Sequence, residues 1–301
     1  MDSVSWLQYL SYLAFIVLVV GVLATVIKYL TMPIHLRWEL YPVPHEKKSS
    51  YGGSYMEELE WWTKPREKDF LNQILFMAQE IILIRALYHH NRKMWYASFP
   101  FHFGLYLIIG WLVLLLMGAI LNAFGLASSL VDLIQTLAVA FGGVGLILGI
   151  LGCLGLIIRR ATAEELKGYT APIDYFNLFF ILAVLVSGLV AWGSSDPGFL
   201  SMRDYLKGLI TIKPVVMPSA SLTLFITLFS LFLIYLPFTH MTHFFMKYFM
   251  WDKIRFDDEP NRRGSAIESK VAIALNFTQH WSAPHIHKGT KWSETATKGV
   301  E

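Results

Sequence analysis

Five apolar runs of membrane length limit what this chain can fold into. They cover Trp6 to Leu30, Ser98 to Phe124, Leu130 to Ile158, Tyr175 to Trp192 and Ser219 to Met250. At 1.5 Å per residue, each reaches or nearly reaches across the roughly 30 Å of a bilayer core. Backbone polar groups have no water to bond there, so such runs are helices. The rest of the composition agrees: 55% of residues are hydrophobic, only 16% are charged, and mean hydropathy is +0.48. The expected fold class is an all-α membrane protein with five transmembrane helices. A sixth stretch, Phe70 to Tyr96, is apolar but carries Gln73, Gln79, Glu80 and Arg85, and reads as an amphipathic helix on the membrane surface. The first run is too long for a cleavable signal and no small-residue cleavage site stands out. The organisation expected is a membrane domain over 1–260, with an inner loop over 31–97, and a tail over 261–301.

Charge orients the bundle. With the N-terminus outside, 22 of the 25 Lys and Arg residues fall on the inner, cytoplasmic side, leaving only Arg203, Lys207 and Lys213 outside. That bias follows the positive-inside rule, and it breaks if Leu71 to Leu87 is made to cross. The segment from Thr31 to Asp69 is rich in proline, charge and aromatics, and reads as a folded docking surface rather than a solvated loop. The tail reads as partly ordered on a partner.

The candidate chemistry lies in the histidines. All ten fall on the inner side or its boundary, and only His102, His240 and His243 lie within spans, where ionisable groups are costly and usually functional. His102 follows Phe99-Pro100-Phe101, and His240 and His243 sit three apart on one helix face after Pro237, which is expected to kink that helix. His102 is about 22 residues from the outer end of its helix and His243 about 24, so their depths agree to roughly 3 Å. Two imidazoles at one depth on neighbouring helices suit axial ligation of a b-type haem; the alternative is two buried histidines bonded to backbone. His240 competes for the same role, or bonds a haem propionate or a quinone. His89 and His90 read as an interfacial cap. The lone Cys153 can make neither an internal disulfide nor a metal site by itself. Gly142, Gly143, Gly145, Gly149 and Gly152 permit close helix packing, or room for a flat macrocycle. Arg92, Arg159 and Arg160 read as topology anchors that could also balance propionates.

At these residues the chain resembles the gamma subunits of respiratory nitrate reductase, through Phe101-His102-Phe103-Gly104 and through Pro237-Phe238 followed by His243. It also resembles the DsrM-type membrane cytochromes b of the sulfate reducers' DsrMKJOP complexes. That likeness is carried by the stretch from Met32 to Glu46, by Tyr51-Gly52-Gly53-Ser54-Tyr55, by Trp61 to Arg66, by Trp95 to Gly104 and by Tyr169 to Asn177, and it extends to about Pro260. The resemblance implies a haem b subunit in anaerobic sulfur respiration. It would carry electrons between menaquinol, bound in the outer half, and a cytoplasmic iron–sulfur subunit like the catalytic subunit of heterodisulfide reductase (DsrK-like). Other membrane and periplasmic subunits would complete the complex. The gamma subunits hold a second haem, but Leu112 and Phe225 stand at the positions of its ligands. One haem is therefore expected, and a second is left open, with His90 or His240 as unusual ligands. Two readings compete with electron transfer. One is a membrane anchor without redox activity; the other is a transporter, for which internal repeats and broken helices are missing.

Overall fold

The structure is a computed structural model, and it describes residues 5–31, 43–46, 53–65, 67–125, 128–216, 218–243, 246–247 and 260–297. The loop motif at 32–42, with His35, and the end of the last apolar run at 248–250 lie outside the described residues. Five helices are long and apolar enough to cross a membrane. These are α1 (Trp6–Leu30), α4 (Arg92–Ala123), α5 (Ser128–Thr162), α7 (Pro172–Ser194) and α9 (Ala220–Tyr235), the last extended by a 3-10 turn at Leu236–Phe238. The chain is a multi-pass membrane protein, as its apolar runs require.

The described residues fall into two compact units: Met1–Gly21 with Met77–Met241, and Val22–Phe76 with Thr242–Glu301. The first is the helix bundle. Its antiparallel pair α4 and α5 meets backbone to backbone, because glycines remove the side chains that would hold the helices apart. A Cβ on Gly104 would stand 2.4 Å from the Gly149 nitrogen, and one on Gly152 would stand 2.2 Å from the Phe101 nitrogen. The glycine stripe of α5 is thus spent on helix packing, with Trp192 against Gly143 and Leu185 against Gly149 on its other side. Cys153 is fully buried and donates to the Leu178 carbonyl of α7 (3.2 Å).

A further helix, α8 (Leu200–Thr211), follows α7. Its buried face, Met202, Tyr205 and Leu206, packs on α4. Asp196 caps it, accepting from the backbone N–H of Ser201 (3.0 Å) and Met202 (2.9 Å). α1 is tied to the same end. The fully buried Gln8 donates to the Lys213 carbonyl (2.9 Å) and accepts from Val215 N–H (3.2 Å), and Ser11 bonds the Tyr205 hydroxyl (2.8 Å). Burial pushes the Tyr205 phenol up to about 12. Most of α1 otherwise exposes Leu13, Phe15, Ile16 and Val20, the surface that a span turns to lipid tails.

The expected surface helix over Phe70 to Tyr96 is not one helix. It is α2 (Phe70–Ile82), then a break at Ile84 with φ 50°, then α3 (Arg85–His90), while Arg92 to Tyr96 already belong to α4, capped by Asn91. α2 is too short to span, and it exposes Phe70, Leu71, Ile74 and Leu75 on one face, as an interfacial helix does. A short α6 (Glu164–Lys167) joins α5 to α7.

In the second unit the loop residues fold around Glu46. Its buried carboxylate accepts from Val43 N–H (3.1 Å), Tyr55 N–H (2.8 Å) and the Ser54 hydroxyl. Asp69 N–H closes on the His45 carbonyl (2.7 Å), and the Asn72 amide on that of Pro44 (2.7 Å). In the tail a helix at Ala266–Leu275 leads into a loop closed by Gln279 N–H to Thr290 (2.9 Å) and Trp292 N–H to Phe277 (3.2 Å).

Candidate functional site

His102 sits on α4 where that helix is pressed hardest onto α5, one residue past the Phe101–Gly152 contact. Its ring stands edge-on to Phe101, with centroids 5.2 Å apart. Its Nδ1 lies 2.8 Å from the Ser98 carbonyl and 3.2 Å from the Ser98 hydroxyl. A carbonyl only accepts, so Nδ1 carries the proton and Nε2 is left as the basic nitrogen. This is the tautomer that a metal-ligating histidine adopts when its other nitrogen bonds a backbone carbonyl. The donor chemistry at His102 therefore fits an axial haem ligand.

The last span differs from its reading in the sequence. Residues 219 to 250 were expected to form one helix with His240 and His243 on one face. α9 instead ends at Tyr235, and the chain continues through 3-10 turns at Leu236–Phe238 and His240–Thr242. Pro237 explains this: it has no N–H and crowds the Leu233 carbonyl. Counting helical rise along this segment therefore stops before either histidine. His240 is exposed, with Nε2 3.9 Å from Asp174 Oδ1, and Arg160 Nη1 lies 3.6 Å from the other oxygen of that carboxylate. Nearby, the Tyr235 hydroxyl donates to Asn177 Oδ1 (2.8 Å). The structure thus brings His240 and Arg160 together, on Asp174. Arg159 pairs with Glu165 (2.6 Å), whose carboxyl is held below its ordinary range, chiefly by a backbone hydrogen bond and then by Arg159. Both arginines are engaged by acidic partners. His243 belongs to the second unit and is exposed. His89 and His90 are exposed at the end of α3, with His89 edge-on to Tyr88. Among the described residues no cluster of three or more His, Cys, Asp or Glu is placed to hold a metal ion.

Further along the bundle Leu112 and Phe225 offer no ligating atom for a second haem, and aromatic side chains pack around Phe225. Trp111 is 2% exposed and lies edge-on to Phe199 (5.1 Å), Phe199 stacks on Trp192 (6.1 Å), and Phe225 stacks on Phe229 (5.8 Å). Beside them is a narrow apolar cavity of about 60 Å³, running from Leu105 and Ile108 past Phe225 to Asp196. Met202 lines it and supplies the only thioether there among the described residues. Trp111 also lines it, and its indole N–H, though buried, has no acceptor among the described residues.

Ser98, Trp111 and Asp196 escape a reading of the sequence. Trp111 is one aromatic in an apolar run, and Asp196 sits in Ser194-Ser195-Asp196-Pro197-Gly198, which reads as a turn. Only the period of Met202, Tyr205, Leu206 and Leu209 signals the helix that Asp196 caps.

Comparison with known proteins adds one result. The family model described as nitrate reductase gamma subunit matches residues 86–254, which contain α4 to α9 and all three span histidines. No curated protein and no solved structure matches the chain. Gamma subunits are membrane cytochromes that bind haem b, oxidise quinol and work with redox partner subunits. With five apolar helices and a carbonyl-bonded histidine inside the matched segment, this chain belongs to the nitrate reductase gamma subunit family.

Proposed function

We propose that this chain carries electrons from menaquinol to a cytoplasmic iron–sulfur subunit, through a haem b held by His102 and His243. When bound, the haem supplies a one-electron carrier. The observation that carries the reading is the tautomer of His102, fixed by Ser98 within the family-matched segment. His243 is the second ligand proposed, with His240, whose Nε2 lies 3.9 Å from Asp174, as the alternative. Orientation with the N-terminus outside rests on the distribution of Lys and Arg. In that orientation the cavity at Trp111 and Asp196 opens in the outer half. Its apolar lining suits a quinone ring and tail, and Asp196 fixes the start of α8 beside it, both carboxylate oxygens accepting backbone N–H groups there.

The partner proposed is an iron–sulfur subunit like the catalytic subunit of heterodisulfide reductase, in a DsrM-type complex of anaerobic sulfur respiration with further membrane and periplasmic subunits. Support comes from the loop motifs and from the folded turn around Glu46, which presents Leu59 and Trp62 to solvent. The test is stopped-flow mixing of the purified chain in liposomes with a menaquinol analogue. Rapid appearance of the reduced-haem band, with onward transfer to an iron–sulfur acceptor whose potential lies above that of the quinol, is expected. Colourless protein would leave only the anchor.

A further inference from the structure

We propose that Ser98 is the positioning residue that selects the ligating nitrogen of His102 and tunes the haem it holds; this rests on the reading of His102 as a ligand. Ser98 is 6% exposed, and its hydroxyl lies 3.2 Å from His102 Nδ1. A buried hydroxyl needs such a partner. The Ser98 carbonyl accepts from the same Nδ1–H at 2.8 Å, so one proton is shared between two oxygens of one residue. Ser98 lies one turn before His102, where a side chain on α4 can reach back to the ring. Pro100 stands between them and removes the N–H that would bond Tyr96, loosening the turn in which Ser98 meets the ring. Phe101 flanks the imidazole edge-on and limits its rotation. With Nδ1–H held by two acceptors, Nε2 is a stronger electron donor, which favours the ferric over the ferrous state.

The test uses the full-length, haem-loaded protein and two readouts, midpoint potential and haem affinity. Ser98→Ala removes the hydroxyl and keeps the carbonyl. It is expected to raise the potential and to weaken haem binding by roughly tenfold or more, within the range for lost outer-shell partners of metal ligands. Ser98→Thr keeps a hydroxyl and is expected to restore both values, which a purely structural role would not do. An unmoved potential in Ser98→Ala overturns the proposal, as does a Ser98→Thr protein that behaves like the alanine variant. If Ser98→Ala fails to fold, Ser98→Cys keeps the volume with a far weaker acceptor, and the same comparison applies. The parent reading fails separately: His102→Ala with undiminished haem would remove the ligand itself, whatever Ser98 does.

Discussion

Gly152 offers a quantitative probe of how helix packing holds the site. Substituting alanine places a Cβ 2.2 Å from the Phe101 nitrogen and 2.5 Å from its Cα. Both atoms are backbone, so no rotamer change relieves the clash. Restoring ordinary contact at 3.4 Å or more requires α4 and α5 to part by about 1 Å at that level. Overpacking of this kind costs about 1–3 kcal/mol, or roughly 5- to 150-fold in an equilibrium constant. His102 is the next residue on α4, so it moves with Phe101, and a displacement of about 1 Å is enough to loosen a ligand site. The assay is transfer of haem to an apoprotein acceptor, with thermal loss of the haem band as a second reading. Gly168→Ala is the control: nothing lies within 4 Å of its added Cβ, and its φ of −71° is ordinary. Gly152→Ala is expected to lose haem several-fold faster than both wild type and control. Haem retention equal to that of Gly168→Ala would refute the link between helix contact and ligand position.

Three further outcomes follow from the same structure. Asp196→Ala removes the acceptor for Ser201 and Met202 N–H, costing about 1 kcal/mol at the start of α8; it is expected to slow reduction by a menaquinol analogue in stopped-flow while leaving haem content intact. Pro237→Ala restores an N–H to the Leu233 carbonyl and is expected to lengthen α9, seen as added helical signal in circular dichroism and altered haem content; an unchanged spectrum would contradict the account of the helix end. In a Cys153→Ala background, Lys213→Cys is expected to react with an impermeant thiol reagent from outside intact cells, and Lys167→Cys only after lysis. The reverse pattern would invert the topology.

The spans were legible because an apolar run of membrane length has few alternatives. Trp6 to Leu30 matches its helix at both ends, and of the two readings that the small size of Gly149 and Gly152 allowed, close packing is the one the helices show. Breaks inside helices were harder to read. The turn at Ile84 rests on one residue with positive φ, which no glycine announces, and Pro237 was read as a kink where the α-helix ends. At the site, His102 stood out because an ionisable residue in an apolar run is conspicuous. Its partner Ser98 did not, since a serine in a span is unremarkable until its distance to Nδ1 is known. Asp196 and Trp111 were invisible for a similar reason: the cavity joins residues of α4, α7, α8 and α9 that sequence spacing cannot relate.

The most direct measurement is the reduced-minus-oxidised spectrum, with haem quantified per chain, of the wild type beside His102→Ala, His243→Ala and His240→Ala. A b-type band is expected in the wild type and in His240→Ala, and its loss is expected in the other two. A full band in either His102→Ala or His243→Ala would contradict the shared iron on which the electron route depends.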